Sequence, residues 1–232
     1  MSAAHRPSLP LTETPLPMTL STPCRHGTVL ATLVTTALLG ACATGPKLEE
    51  RPPVGAVEPI EMPAYTAGTT LRQVSGVDGR DVGWEVVEVD ADGTYVGRSV
   101  EGCSWTKARD PLMPATLWSG CGKGEWAGGE RTILSSTGSL WPLAPGNRAS
   151  WKHRFTSSEG TPSSGTRRCE VEGAHAITTR LGDLDAMKVV CKDPWGTTTS
   201  WWTAEHGEVR SWHVHRERGL EYDHELTAVE RP

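Results

Sequence analysis

From residue 64 to the C-terminus the chain repeats one pattern: short runs of alternating apolar and polar residues, each cut off by Gly, Asp, Ser or Pro. Alternation with a period of two marks half-buried strands, and breaks at this spacing mark hairpins. The pattern predicts strands over Thr69–Val74, Gly83–Asp90, Thr94–Val100, Arg131–Ser135 and Ala149–Phe155. It predicts others over Thr166–Val171, Ala174–Arg180, Ala186–Lys192, Thr197–Thr203, Val209–Arg216 and Leu220–Val229. Ala91-Asp92-Gly93 is a good hairpin turn among them. Helical periodicity is almost absent. The expectation is an all-β domain over 64–232: a curved antiparallel sheet, half-barrel or barrel of about ten short strands.

The pattern before residue 64 is different. Thr28–Leu39 reads TVLATLVTTALL, an uncharged and largely apolar run. As a helix it would span about 18 Å, short of the roughly 30 Å of a bilayer's hydrocarbon core. With Arg25 just upstream, it fits the apolar region of a secretory signal. The run ends in Leu39-Gly40-Ala41-Cys42, which resembles the bacterial lipobox. That resemblance implies cleavage before Cys42, a diacylglyceryl group on its thiol and an acyl chain on the freed amine. Residues 1–41 are then the leader, with Met18 an alternative start. Three acyl chains would hold the protein to a membrane almost irreversibly. Ala43 follows the lipidated Cys. By resemblance to enterobacterial sorting, this favours the outer membrane, facing the periplasm. Residues 42–63 are rich in Pro and charge without periodicity, so a disordered tether is expected there.

An exported chain changes the reading of its cysteines. Cys103, Cys121, Cys169 and Cys191 follow the anchor, an even count in an oxidising compartment, so two disulfides are expected. Three pairings are open, and the sequential one, Cys103–Cys121 with Cys169–Cys191, fits neighbouring strands best. A Cys₄ zinc site competes with it, but no C-x₂-C spacing supports zinc.

The chain carries 23 Lys/Arg and 28 Asp/Glu. Arg6, Arg25 and Glu13 precede Cys42, so the mature part has a net charge of −6. That balance argues against nucleic acid as a partner. Aromatic usage is lopsided, with ten Trp, three Tyr and one Phe. Such rings serve both as core and as binding surface.

Three segments look familiar together: Leu140-Trp141-Pro142-Leu143-Ala144-Pro145-Gly146, Leu181-Gly182-Asp183-Leu184-Asp185-Ala186-Met187-Lys188-Val189 and Trp201-Trp202-Thr203-Ala204-Glu205-His206-Gly207-Glu208-Val209. They resemble uncharacterised lipoprotein-type domains of Gram-negative envelopes over about the C-terminal half of the chain. The resemblance implies a curved antiparallel sheet or half-barrel and no activity. Thr203-Ala204-Glu205 departs from the aromatic-then-Pro pattern of that last segment.

Candidate chemistry concentrates in Trp212-His213-Val214-His215, with His224 beyond the turn. A two-residue turn at Arg218-Gly219 would bring His213, His215 and His224 together as metal ligands. A three-residue loop, Glu217 to Gly219, instead gives Trp212, Val214, Leu220, Tyr222 and Leu226 one buried face. It turns His213 and His215 toward Glu221, Asp223 and Glu225, which would favour their protonated forms. Binary pattern selects the second register. Asp90-Ala91-Asp92-Gly93 lacks a calcium loop's last carboxylate, and Gly120-Cys121-Gly122-Lys123-Gly124 lacks the P-loop spacing. No G-x-S-x-G or H-E-x-x-H occurs. The sequence therefore points to a non-enzymatic envelope lipoprotein without cofactor, attached to the membrane by its lipid. Its sheet would bind an envelope protein, a glycan or an apolar ligand. A lipid carrier is the alternative, and requires an apolar concave face with no plug. A metal-dependent enzyme on His213 and His215 is the remaining one.

Overall fold

The computed structural model describes residues 46–232. The apolar run and the lipobox residues Leu39, Gly40, Ala41 and Cys42 lie outside them. Each alternating segment becomes a strand, and each strand pairs antiparallel with its sequence neighbours. In order these are β1 (Thr70–Ser75), β2 (Trp84–Val89), β3 (Tyr95–Ser99), β4 (Ser104–Lys107), β5 (Leu117–Ser119) and β6 (Gly129–Ser139). They continue as β7 (Arg148–Ser157), β8 (Pro162–Thr179), β9 (Gly182–Lys192), β10 (Gly196–Thr203), β11 (Gly207–His215) and β12 (Gly219–Glu230). Strand β12 returns to β1, with Thr70 opposite Glu230, and closes the barrel. Closure leaves no sheet edge exposed along the paired strands.

The barrel has twelve strands rather than about ten. Strands β4 and β5 escaped the sequence pattern because four and three residues are too few to display a period of two. In the other direction, Thr166–Val171 and Ala174–Arg180 are parts of one long strand, β8. A bulge between Val171 and Gly173 bends it without ending it.

Alternation sorts the wall into an outer and an inner face. On β7, Arg148, Lys152 and Arg154 are exposed, whereas Ala149, Trp151, His153 and Phe155 are buried. A membrane-spanning barrel needs an outward apolar band about 25 Å tall. The outer face of β7 is charged and carries no such band.

Much of the interior is packed. Leu140, Leu143, Trp151, Val171, Met187, Val189 and Trp202 form a core cluster inside the wall. The β4–β5 loop adds to it from within: Leu112 is buried in the same cluster. Asp110 fixes that loop by accepting from Leu112 N and from Trp141 Nε1, at 2.9 and 2.8 Å. A second cluster joins Leu71, Ile177, Ala186, Trp201, Val209, Trp212 and Leu226.

Both disulfides pair sequentially. Cys103–Cys121 closes the short β4–β5 pair, and Cys169–Cys191 joins directly opposed residues of β8 and β9. Bridges closing loops of this length contribute about 3 kcal/mol each.

The expected tether, 42–63, is corrected over much of its length. Arg51 exchanges both backbone hydrogen bonds with Ala176. Glu50 pairs with Lys188 at 2.9 Å, and Leu48 packs on the second cluster. Ile60 is buried and bonds Leu143 in both directions. Prolines removed the periodicity that would have announced this segment. Single side chains hold it, through apolar burial and ion pairing that leave no repeat in the sequence.

Candidate functional site

The interior that is not packed is polar. A cavity of about 480 Å³ is lined by residues of β4 and, across the ring, of β10 and β11, so it lies in the lumen. A smaller one of about 160 Å³ lies beside it, and the two share Gln73, Trp84, Trp105, Lys107, Pro111 and Glu208. Exposed Glu101, with Ser99 and Cys103, marks the solvent end. The tryptophans form an aromatic wall: Trp84 meets Trp105 edge-on with centroids 5.5 Å apart. Trp105 lies across β3 at Gly97, where any Cβ would run into its indole. Glycine is required there because the ring occupies the side chain's place.

Two opposite charges face this space without touching a counter-ion among the described residues. Lys107 Nζ donates to Pro111 O at 2.6 Å. The Glu208 carboxylate accepts from Ser211 Oγ at 2.8 Å. Burial pushes the Lys107 ammonium down to about 8, and it pushes the Glu208 carboxyl up. Both side chains keep intermediate accessibility because the cavity itself reaches them. Further along the lumen, Arg131 donates to Ala115 O at 2.7 Å and lies over Trp118 and Phe155. Burial, reinforced by Arg167, lowers it to about 10. Arg167 lines the large cavity and pairs with Asp193 at 3.4 Å.

Lys107 therefore costs stability. Its folded value lies near 8 against an ordinary 10.5, so between those values the unfolded chain holds a proton that the folded one releases. Stability rises with pH across that window, and the full penalty stands below it. At about 1.4 kcal/mol per unit the penalty reaches roughly 3 kcal/mol, less whatever cavity water returns. Lys107→Met should raise the unfolding free energy at neutral pH by about 1–3 kcal/mol, with the gain shrinking toward about pH 10. Denaturant titrations at both pH values check this; a loss of stability at neutral pH would contradict it.

The histidines are placed differently from the expected register. His215 pairs with Gly219 and Val214 with Leu220, then a bulge shifts the ladder so that His213 opposes Tyr222 and Trp212 opposes Asp223. Neither simple hairpin allows for that extra residue. Trp212 is buried as expected, and Leu226 is too, but Leu220 is exposed. Tyr222 belongs to the luminal face together with His213 and His224. Its ring lies between theirs, 5.9 Å from His213 and 4.6 Å from His224. Burial lowers the His213 imidazole, outweighing Asp193 and Glu221, so the expected carboxylate effect loses there; burial lowers His224 as well. His215 turns to the hairpin loop and accepts from Glu217 N and Arg218 N at 3.1 and 3.3 Å. Among the described residues no group of three His, Cys, Asp or Glu is arranged to hold a metal ion.

One chain of contacts imitates a catalytic triad. Thr198 Oγ1 lies 3.1 Å from His213 Nδ1, and His213 Nε2 lies 3.6 Å from Glu221. Thr198 and His213 are directly opposed across β10 and β11, so strand pairing alone accounts for the contact. The strand around Thr198 is itself paired on both sides, with β9 and β11.

Sequence reasoning did not single out Lys107, Glu208, Arg131, Arg167, Trp84 or Trp105. A signal existed for some of them. Arg167 shares the inward phase of Cys169 and Val171, Arg131 that of Ile133, and Lys107 that of Trp105. A charge in phase with buried neighbours marks a polar interior.

No protein-family model matches the chain, and no curated protein matches it. Solved structures of three bacterial proteins are similar to it at low identity. A protein described as exported, with a YmcC-like fold, from Bacteroides fragilis is 12% identical. That match covers 74% of this chain and 100% of the other, with a TM-score of 0.37. The hypothetical lipoprotein YmcC from Escherichia coli is 9% identical over 71% of this chain and 85% of its own, with a TM-score of 0.40. A protein described as a lipoprotein from Parabacteroides distasonis is 13% identical over 76% and 100%, with a TM-score of 0.37.

Proposed function

We propose that this protein is a lipid-anchored lipoprotein of the cell envelope, held by Cys42 and facing the periplasm. Its barrel acts as a non-enzymatic module that binds a small polar molecule in the lumen. The observation that carries the second part is the pair of adjoining cavities in which Lys107 and Glu208 face the same space without counter-ions. Burying such groups is unfavourable unless something hydrogen-bonds to them. Trp84 and Trp105 supply apolar surface beside them, so the site suits a ligand with both characters. An acyl chain fits poorly: it would leave both groups desolvated, and the β4–β5 loop already occupies part of the interior. That counts against the lipid-carrier alternative.

The anchor rests on Leu39-Gly40-Ala41-Cys42 and the short apolar run. Ala43 suggests the outer membrane as destination. Since Leu48 already packs on the barrel, only five residues of chain lie between it and Cys42, at most about 20 Å of extended backbone. The barrel then stands at the bilayer surface instead of on a long leash. Cys42→Ala should abolish palmitate incorporation and free the protein from membranes; undiminished labelling would refute the anchor. Native mass spectrometry of the full chain in detergent tests the binding reading. A bound small molecule is the expected result, and an empty lumen under all conditions is the contrary one.

A further inference from the structure

We propose that the lumen is an oxyanion site, in which a small acceptor-rich anion enters at the mouth and is held by Lys107 and Arg167 against Trp84 and Trp105. The proposal deepens the binding reading above and rests on it. Two independent observations lead to it. The first is a one-sided shortage of hydrogen-bond acceptors. Among the described residues, the buried side-chain polar atoms without a partner are Arg131 Nε, both His153 nitrogens, Arg167 Nε and Trp201 Nε1. All are nitrogens, and three of the four residues face the lumen. An Arg Nε is always a donor, and a neutral imidazole always carries one N–H. His153 is 1% exposed and sits opposite Ile133 and Gly165, on the luminal side of β7. The two arginine Nε groups have no acceptor among the described residues.

The second observation is the charge count. Among the described residues, Lys107, Arg131 and Arg167 are cations facing the lumen, and of these only Arg167 has a carboxylate in contact, Asp193. Lys107 uses one of its three protons, on Pro111 O. Burial disfavours the Lys107 ammonium most, and Arg167 and Arg131 add to this against Glu208 and Asp110; Arg167 likewise disfavours the Arg131 cation. An oxyanion in the large cavity relieves this repulsion and offers an acceptor to Arg167, the unpartnered donor that lines it. Glu208 faces the same space, and burial pushes its carboxyl up, which lessens its opposition to an anion. The shared chemistry is a carboxylate, phosphate or sulfate group. A neutral ligand would leave the charge of Lys107 without a counter-ion.

The test is titration of the full chain in detergent with inorganic phosphate, sulfate and citrate, each followed by tryptophan fluorescence and by the rise in melting temperature. At least one anion should saturate, and which of the three binds tightest identifies the oxyanion class. Lys107→Gln and Arg167→Gln should each weaken it about ten- to a hundredfold, the usual worth of a charge-assisted hydrogen bond. Lys192→Gln, on the outer wall, should leave affinity unchanged. If Lys107→Gln fails to fold, the wild type decides by its pH profile. The groups around the Lys107 ammonium are Glu208, Asp110, Arg131 and Arg167. Affinity should fall as pH rises through about 8, where that ammonium discharges. The proposal is overturned if no anion saturates on folded wild type, if Lys192→Gln loses as much as Lys107→Gln, or if affinity is flat from about pH 6 to about pH 10. Should a neutral molecule co-purify while all three anions fail, the oxyanion assignment falls and the binding module stands. Should nothing bind at all, both fall together.

Discussion

Trp202→Ala should cost the fold about 4 kcal/mol, the upper range for emptying an aromatic site in a packed interior. Trp202 is 2% exposed and points into the lumen opposite Met187. Its ring meets Trp141 edge-on with centroids 5.6 Å apart, and its Nε1 donates to Ser200 Oγ at 2.8 Å. It shares a cluster with Leu112 of the inserted β4–β5 loop. The substitution therefore removes apolar burial, an aromatic pair and the backing of the loop together. The loop cannot move in to fill the hole without breaking the Asp110–Trp141 hydrogen bond that positions it. Trp126, 41% exposed, supplies the control, and its replacement by Ala should cost under about 1 kcal/mol. Urea titrations of both variants decide the matter; a Trp202→Ala loss as small as that of Trp126→Ala would mean that the lumen is not packed as described.

The same pair of tryptophans shows how far the sequence could be read. Two consecutive indoles in a strand must point to opposite sides of the sheet. Trp202 enters the lumen, while Trp201 lies on the other face against Trp212, with Lys188 over its ring. Alternation identifies the strands on either side but does not say which face is the interior of a closed ring. Closure depends on the pairing of β1 with β12, between residues some 150 positions apart, which no local pattern encodes. The disulfides were legible because each joins strands separated by one hairpin. The luminal site was legible only as charges in phase with apolar neighbours, a faint signal for the reason that makes the site interesting. Lys107, Arg131, Arg167 and Glu208 occupy inward positions where pattern reasoning expects apolar residues. In β4, with four residues, there is no run long enough to expose the exception. The His213–His224 hairpin failed for a smaller reason: one bulged position changes which face every later residue serves.

Asp223→Ala should destabilise the protein by about 3–5 kcal/mol, an effect of the same order produced by charge instead of volume. Asp223 is 3% exposed and receives two hydrogen bonds from Arg210, Nε to Oδ1 at 3.2 Å and Nη2 to Oδ2 at 2.9 Å. This is the two-pronged geometry that suits a guanidinium to a carboxylate. Arg210 is itself enclosed, with its side chain 13% exposed and its guanidinium packed over Trp212. The turn after β1 covers the acid: Gly76 N donates to Asp223 O, and a Cβ at Gly76 would fall on the carboxylate. Removing the acid leaves a buried cation whose remaining partner, Glu225, is 4.0 Å away. The loss should therefore fall at the lower end of the range. The pair as a whole is worth far less than either half suggests, because both charges pay for leaving water. The double variant Arg210→Met with Asp223→Leu should accordingly recover most of the stability lost by Asp223→Ala alone. Denaturant unfolding of the single and double variants measures the difference. If the double variant is as unstable as the single one, the pair contributes specific packing that hydrophobic replacements cannot imitate, and the desolvation account of this cluster is wrong.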